Sequence, residues 1–220
     1  MAKKTFLRIL YLTLSMPFAL LSVLFYILNI CKTRDCYNLC IEKAKNRERN
    51  FDPRLIQCLY LGEDKRNLIH YGVDFFGVGR AILSTLQGSI QGASTIEQQF
   101  IRTVTGRYER TATRKIVEQL LALLVSFKLK KKVIAESYLS IAFFGTSMNG
   151  YSELCNQLDP KRYDLNFYAR VIARLKYPQP TTINADWNKK FEKRTEWILI
   201  KYNAINKKKT NKYERNELSI

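Results

Sequence analysis

Glu63 and Glu118 stand 55 residues apart, the first inside GEDKRNLIHYGVD and the second inside RKIVEQ, with QGASTIEQQFIR between them. Carboxylates set among arginines, lysines and the paired Gln98 and Gln99 are what a transfer reaction on a sugar diphosphate needs. A positioned carboxylate takes the proton of a weakly acidic hydroxyl as it attacks. Fixed cations steady the negative charge that builds on a departing diphosphate.

The elements that must hold these residues read as helices. Leu55, Ile56, Leu59 and Tyr60 form an apolar segment that should dock on the core and bring Gly62 and Glu63 to an opening, with Gly62 giving the backbone freedom. Ser94 is a good N-cap and Glu97, three residues on, would complete a capping box, so a helix should start there. On it Gln98 and Arg102 share a face, and its free N–H groups could neighbour a phosphate. The cap is the favoured reading of Glu97.

A second helix is predicted from Thr111 to Leu129, with Ile116, Leu120, Leu123, Leu124 and Phe127 inward. There Arg114 and Glu118 are four residues apart, so a structural ion pair competes with a catalytic role for Glu118. A third helix follows Lys130, Lys131 and Lys132, with Val133, Ile134, Tyr138, Leu139 and Ile141 inward, and should end near Gly145. Leu165 to Leu175 and Trp187 to Tyr202 read as two more, and no strand series stands out. The stretch from Asn206 to Glu217 reads as a disordered basic tail. Asp35 to Asn50, with Leu39, Cys40 and Ala44 at helical spacing, reads as a helix leading to the domain.

From Ile9 to Ile30 no residue is charged, which matches the ~20 residues that cross a hydrocarbon core. Tyr11 and Tyr26 lie toward its ends, where amphipathic rings favour the interface. A cleaved leader would carry a shorter apolar run and a small-residue cleavage site. The 220 residues carry 37 Lys and Arg against 19 Asp and Glu, a net charge of +18, which favours polyanions without choosing among nucleic acid, anionic lipid and phosphorylated substrates. No DNA- or RNA-reading motif is present, so nucleic acid is not expected as a partner. Cys31, Cys36, Cys40, Cys58 and Cys155 form no CxxC pair, and an odd number leaves one thiol unpaired in a monomer.

Together the motifs resemble the peptidoglycan glycosyltransferase family, the transglycosylase domain of bifunctional penicillin-binding proteins and of monofunctional cell-wall transglycosylases. The pattern EDxxFxxHxGxD is matched by Glu63, Asp64, His70, Gly72 and Asp74. GGSTxTQQxxK is matched by Gly92, Ser94, Thr95, Gln98 and Gln99, and RKxxE by Arg114, Lys115 and Glu118. KxxILExYLN is matched by Lys131, Ile134, Glu136, Tyr138 and Leu139, followed by Gly145. The likeness covers roughly Arg54 to Ile200. Departures are Asn67 for phenylalanine, Ala93 for glycine, Glu97 for threonine, Arg102 for lysine, Ser140 for asparagine, and loss of a late YFGK-type motif.

The resemblance implies a mainly α, lysozyme-like glycosyltransferase domain with one N-terminal transmembrane helix at the bacterial cytoplasmic membrane. Residues 1–8 would be cytoplasmic, 9–30 the span, 31–53 a juxtamembrane segment, 54–205 the catalytic domain on the outer face, and 206–220 a basic tail. It implies polymerisation of lipid II by inverting transfer, with Glu63 as base and polyprenyl diphosphate released. Arg102, Arg110, Arg114 and Lys115 would steady the diphosphate, and Glu118 would orient those cations or a metal. Ser94, Gln98 and Gln99 join the substrate-binding set, while Asp64, His70, Gly92, Lys131 and Glu136 hold the motifs in shape. No organic cofactor is implied, and a divalent cation, Mg or Mn, could assist. Partners would be lipid II, membrane lipids and other cell-wall synthesis proteins. The ending around PQPTTIN and Arg194 suggests the monofunctional type. The alternative is an inactive relative that binds the lipid-linked precursor as a scaffold.

Overall fold

The computed structural model describes residues 2–89 and 92–217, with side chains for 4–89 and 92–207. The chain is mainly α, as the resemblance implies, and divides into two compact units: residues 1–49 with 63–142, and residues 50–62 with 143–220.

The first unit opens with α1, Ala2–Ile27. Among the described residues it is the one helix long and apolar enough, by length and composition, to cross a membrane. It starts before the uncharged run does and stops short of Ile30, because Asn29, Cys31 and Lys32 take positive φ and Ile30–Lys32 form a single tight turn. Tyr11, Ser15 and Ser22 are buried along one side, whereas Leu20, Leu24 and Ile27 are exposed on the rest. The hydroxyls of Ser15 and Ser22 donate to the carbonyls of Tyr11 and Phe18, so neither is left unpaired. Lipid-like chemistry thus covers most of the helix, and a narrow polar seam joins it to its own unit.

α2 (Thr33–Lys45) buries Cys40 and Ala44 and packs on α5 (Ile96–Thr105) and α6 (Ala112–Lys128). A segment expected to lead up to the domain is therefore part of the core. α4 (Phe75–Leu86), not anticipated from the sequence, is capped by Asp74, whose carboxylate accepts from the Gly77 N–H. α7 (Lys131–Leu139) also packs on α5. Ile96, Phe100, Ile101, Leu121, Leu123 and Ile134 form the dry centre.

On α6 the inward stripe is rotated from the predicted one. Val117, Leu121, Ala122 and Val125 are buried with Leu120 and Leu123, whereas Ile116 and Phe127 are about half exposed. The helix turns this way because Gly72, at φ +90°, lies against it: a Cβ there would sit 2.2 Å from the Ala122 carbonyl oxygen. Only glycine allows that approach. α7 ends at Leu139, six residues before Gly145, since Ser140 caps it and the chain then extends.

The second unit contains α3 (Pro53–Glu63, its last residue assigned to the first unit), α8 (Tyr151–Leu158), α9 (Leu165–Lys176) and α10 (Ala185–Glu217). A short antiparallel pair, β1 (Phe143–Gly145) and β2 (Met148–Asn149), lies between them in sequence. α9 packs on α10 around Ile172, Phe191 and Ile198. Gly62 is helical, and its freedom is not what is used: a Cβ would meet Ile172 Cγ2 at 2.6 Å, so glycine serves close helix packing. α10 runs on through 206–217, where a disordered tail was expected. No proline or glycine interrupts that lysine-rich stretch, and lysine and glutamate are good helix formers.

Candidate active site

Every residue of the site lies in the first unit, and α5 organises it. The N-cap of α5 is Thr95, not Ser94: the Thr95 hydroxyl accepts from the Gln98 N–H and donates to the Gly72 carbonyl at 2.7 Å. The shift by one residue removes Glu97 from the capping-box position. Glu97 is instead fully buried and receives the Lys131 ammonium at 2.5 Å. An anion does sit at the start of α5, but it is a side chain: Asp64 Oδ2 accepts from the Ile96 N–H at 3.2 Å. That end of the helix is therefore occupied and holds the first motif rather than a phosphate.

Glu63 is half-buried at the end of α3. Gln99 Nε2 donates to its Oε2 at 3.3 Å, and the Tyr138 hydroxyl donates to Gln99 Oε1 at 2.7 Å. Tyr138 keeps its proton, because burial and then the nearby Glu63 charge both push its phenol well up. Gln99 is thereby fixed with its amide N–H₂ toward Glu63. The amide thereby holds one oxygen of the carboxylate in place.

Glu118 has a different setting. It is 3% exposed and accepts from Arg102 at 2.9 and 3.0 Å, from Arg114, and from Lys115 at 3.4 Å. Three cations against one carboxylate leave two positive charges. Arg102 Nη2 and Lys115 Nζ also reach Ser94 Oγ, each at 3.2 Å. Lys115 is pushed down by burial and then, against the pull of Glu118, by Arg102 and Arg114, so its ammonium is short of compensating charge. The structural ion pair of Arg114 with Glu118 is present, and it is one part of a larger cluster. Glu118 is thus a positioning residue under the cations and does not present itself to a substrate.

Other predicted site residues sort as follows. Gln98 is fully buried, with Oε1 accepting from Lys115 at 3.0 Å and Nε2 directed at the Gly72 carbonyl at 3.5 Å, so it supports the site from behind. Arg110 is exposed in the loop between α5 and α6 and makes no hydrogen bond to the cluster. Gly92 is exposed with open space where a Cβ would be. Glu136 is buried and paired with Arg47 at 2.9 Å, a structural role. His70 is buried, with Nε2 3.0 Å from Asp64 Oδ2 and Nδ1 3.5 Å from Lys131 Nζ. It ties the loop after Glu63 to α7.

Burial alone would raise Asp64, but its bonds to His70, then the charge of Lys131 and the amide of Asn67, hold the carboxyl below the usual range. Two partners went unseen in the sequence. Arg66 binds Asp74 with Nε and Nη2, at 2.6 Å for the shortest contact, and the Tyr11 hydroxyl reaches the same carboxylate at 2.5 Å. With Arg8 Nε donating to the Leu68 carbonyl, this pins α1 to the loop that follows Glu63.

Gln99 and Arg102 are three residues apart on α5 and share a face. One helix therefore carries both the amide that holds Glu63 and the guanidinium that holds Glu118. A half-buried carboxylate beside an excess of fixed positive charge can accept a proton while an anionic group departs.

These features agree with the comparisons. A family model described as Transglycosylase matches residues 42–203, and the chain belongs to that family. Its relatives include penicillin-binding protein 1B of Haemophilus influenzae, 34% identical over 115 residues, which are 50% of this chain and 15% of that protein. Penicillin-binding protein 1A of Neisseria lactamica is 38% identical over 105 residues, 47% of this chain and 13% of that protein. Penicillin-binding protein 1B of Buchnera aphidicola is 36% identical over 104 residues, 46% and 14% respectively. The chain thus spans a small fraction of the length of these relatives. The match from residue 42 also takes in the end of α2, ahead of the expected boundary at 54.

Proposed function

We propose that the chain is a membrane-anchored peptidoglycan glycosyltransferase that polymerises lipid II. α1, whose exposed side is apolar, holds it at the cytoplasmic membrane, where it works with other cell-wall synthesis proteins; the contacts of Arg8 with Leu68 and of Tyr11 with Asp74 keep the start of α1 on the same side as the loop after Glu63, against the expected placing of residues 1–8 across the membrane from the catalytic domain. The observation that carries the reading is the division of labour on α5: Gln99, fixed by Tyr138, holds Glu63, while Arg102 joins the cluster of three cations around Glu118.

Glu63 takes the proton from the acceptor sugar hydroxyl as that oxygen attacks the anomeric carbon of the donor. The carbon–oxygen bond to the diphosphate breaks as the new bond forms, so the anomeric centre inverts and no sugar becomes covalently attached to the protein. Base assistance of this kind is worth roughly 10²- to 10⁴-fold. The leaving polyprenyl diphosphate collects negative charge, and Arg102 and Lys115, the more open of the three cations, receive it. The side chains of Arg102 and Lys115 are 25% and 35% exposed against 14% for Arg114, which makes them the cations a ligand can reach. Glu118 keeps them apart and aimed.

The cluster does not suit a Mg or Mn ion. Both Glu118 oxygens are already taken by cations, and the surrounding charge is positive. Glu118 is accordingly assigned no metal.

The test is polymerisation of labelled lipid II by the purified full chain in detergent. Glycan polymer with release of polyprenyl diphosphate is the expected result. Precursor binding without polymer would reject the enzymatic reading in favour of a scaffold.

A further inference from the structure

α1 is fastened to its own unit along its length. Near its start Arg8 Nε donates to the Leu68 carbonyl at 3.0 Å, and the buried Tyr11 hydroxyl donates to Asp74 at 2.5 Å. Midway, Phe18 lies against Phe75 of α4 with ring centroids 5.4 Å apart, Ser15 and Ser22 are buried, and α6 packs along the helix. At its end Tyr26 meets the Tyr37 ring edge-on at 5.3 Å and shares a surface groove with Glu42, Lys45 and Lys128.

These fastenings are incompatible with an upright crossing. From Arg8 to Tyr26 the helix runs about 27 Å at ~1.5 Å per residue, close to the ~30 Å of a hydrocarbon core. Standing upright, it would carry those two ends to opposite interfaces, and the unit fastened to both would have to pass through the core beside it. That unit brings the Arg66–Asp74 pair to one end and the charges of the groove to the other. Charged groups in hydrocarbon are costly. Only the outward side of α1 is left for lipid.

That side is apolar, and it continues onto a second helix. Leu20 of α1 is 69% exposed and Leu86 of α4 80%, with Ile27 on the first helix and Ile82 and Leu83 on the second also open. The contact of Phe18 with Phe75 joins the two helices, as does that of Tyr11 with Phe76 at 5.3 Å. The charges at the edges of this surface share one sign: Lys4 and Arg8 stand at the start of α1, Lys32 and Arg34 just beyond its end, and Arg80 on α4, all exposed. No acidic residue occurs in 1–34 or 75–86. An apolar face edged by cations complements a leaflet that carries anionic lipid. Interfacial helices turn a polar face away from the lipid; in α1 the seam against its own unit takes that place.

We propose that α1 lies along one leaflet of an anionic bilayer, with its outward side and that of α4 sunk among the acyl chains. Both ends of α1 then stay on the side of the loop after Glu63, and the hold on the membrane is one-sided. This rests on the membrane attachment proposed above and specifies its geometry.

The first measurement uses the full chain with a cleavable tag at each end, in sealed bacterial membrane vesicles of one orientation. Protease added outside should remove both tags or neither. One tag removed and the other protected would overturn the one-sided hold while leaving membrane attachment standing; a chain found in no membrane would overturn both. The second measurement reads depth. Phe6→Trp, Met16→Trp, Ile27→Trp and Leu83→Trp, each followed as fluorescence added over wild type in vesicles containing phosphatidylglycerol, should all be quenched by acyl-brominated lipids at one shallow depth. Met16→Trp quenched best from the bilayer centre, with Phe6→Trp and Ile27→Trp shallow, would overturn the proposal. So would an unquenched Leu83→Trp in a vesicle-bound chain. Four unquenched variants in a chain that runs as a dimer would assign the face to a second copy and overturn it equally.

Discussion

Glu63 and Glu118 are the same residue type in one unit, tied to the same helix, and their surroundings give them opposite work. Glu63 is half-buried and held by a neutral amide that Tyr138 orients in turn. Glu118 is 3% exposed under three cations. A carboxylate that must accept a proton needs a free lone pair and access to substrate. One that must organise cations needs burial and full occupancy. The contrast teaches that the partners of a motif glutamate, more than its place in the motif, set its role.

Breaking Glu118 should have the largest effect on the folded state. Glu118→Gln leaves three neighbouring cations without their counter-charge, and removing one member of a buried charge cluster costs about 3–5 kcal/mol. Denaturant unfolding should show that loss together with reduced polymerisation. Arg102→Ala should be milder for stability, about 1–3 kcal/mol for a charged hydrogen-bond partner, with the loss in kcat exceeding the change in KM because diphosphate departs in the transition state.

The neutral side of the comparison should be softer. Tyr138→Phe removes the bond that orients Gln99, and should lower the unfolding free energy by about 1 kcal/mol and slow polymerisation by about fivefold. Arg102→Lys keeps the charge and loses the two-atom grip on Glu118, so about threefold or less is expected in rate.

Asp74 supplies a pH test. Burial would raise it, but Arg66, Tyr11 and the Gly77 N–H outweigh that and hold it below the usual carboxylate range. A depressed folded value contributes stability that is fully present above the ordinary value of about 3.9 and is lost as pH falls through the folded one. The thermal stability of wild type should therefore exceed that of Asp74→Asn at neutral pH, and the gap should close in acid.

The sequence displays much of this through local signals. α5, α6, α7 and α9 were legible because 3.6-residue apolar spacing is written within a few residues, although the cap read at Ser94 falls one residue before the real one at Thr95. α4 was not, since Gly77 and Gly79 read as breakers and its stabilising cap at Asp74 is tied to Arg66 and Tyr11 from elsewhere. The motifs gave Glu63, Glu118 and their cations together. They could not give Glu97, whose cap-like spacing from Ser94 hid a buried pair with Lys131, 34 residues on. Nor could they show that Gln98 turns inward while Gln99 holds Glu63, because adjacent helical positions differ by about 100° and the direction of the core decides between them.

The central claim is that Glu63 removes the acceptor proton. Its most direct test is the polymerisation rate of Glu63→Gln beside wild type, at matched concentrations of folded protein and saturating labelled lipid II. The account predicts a loss of at least ~100-fold with an unchanged unfolding temperature; equal rates would contradict it.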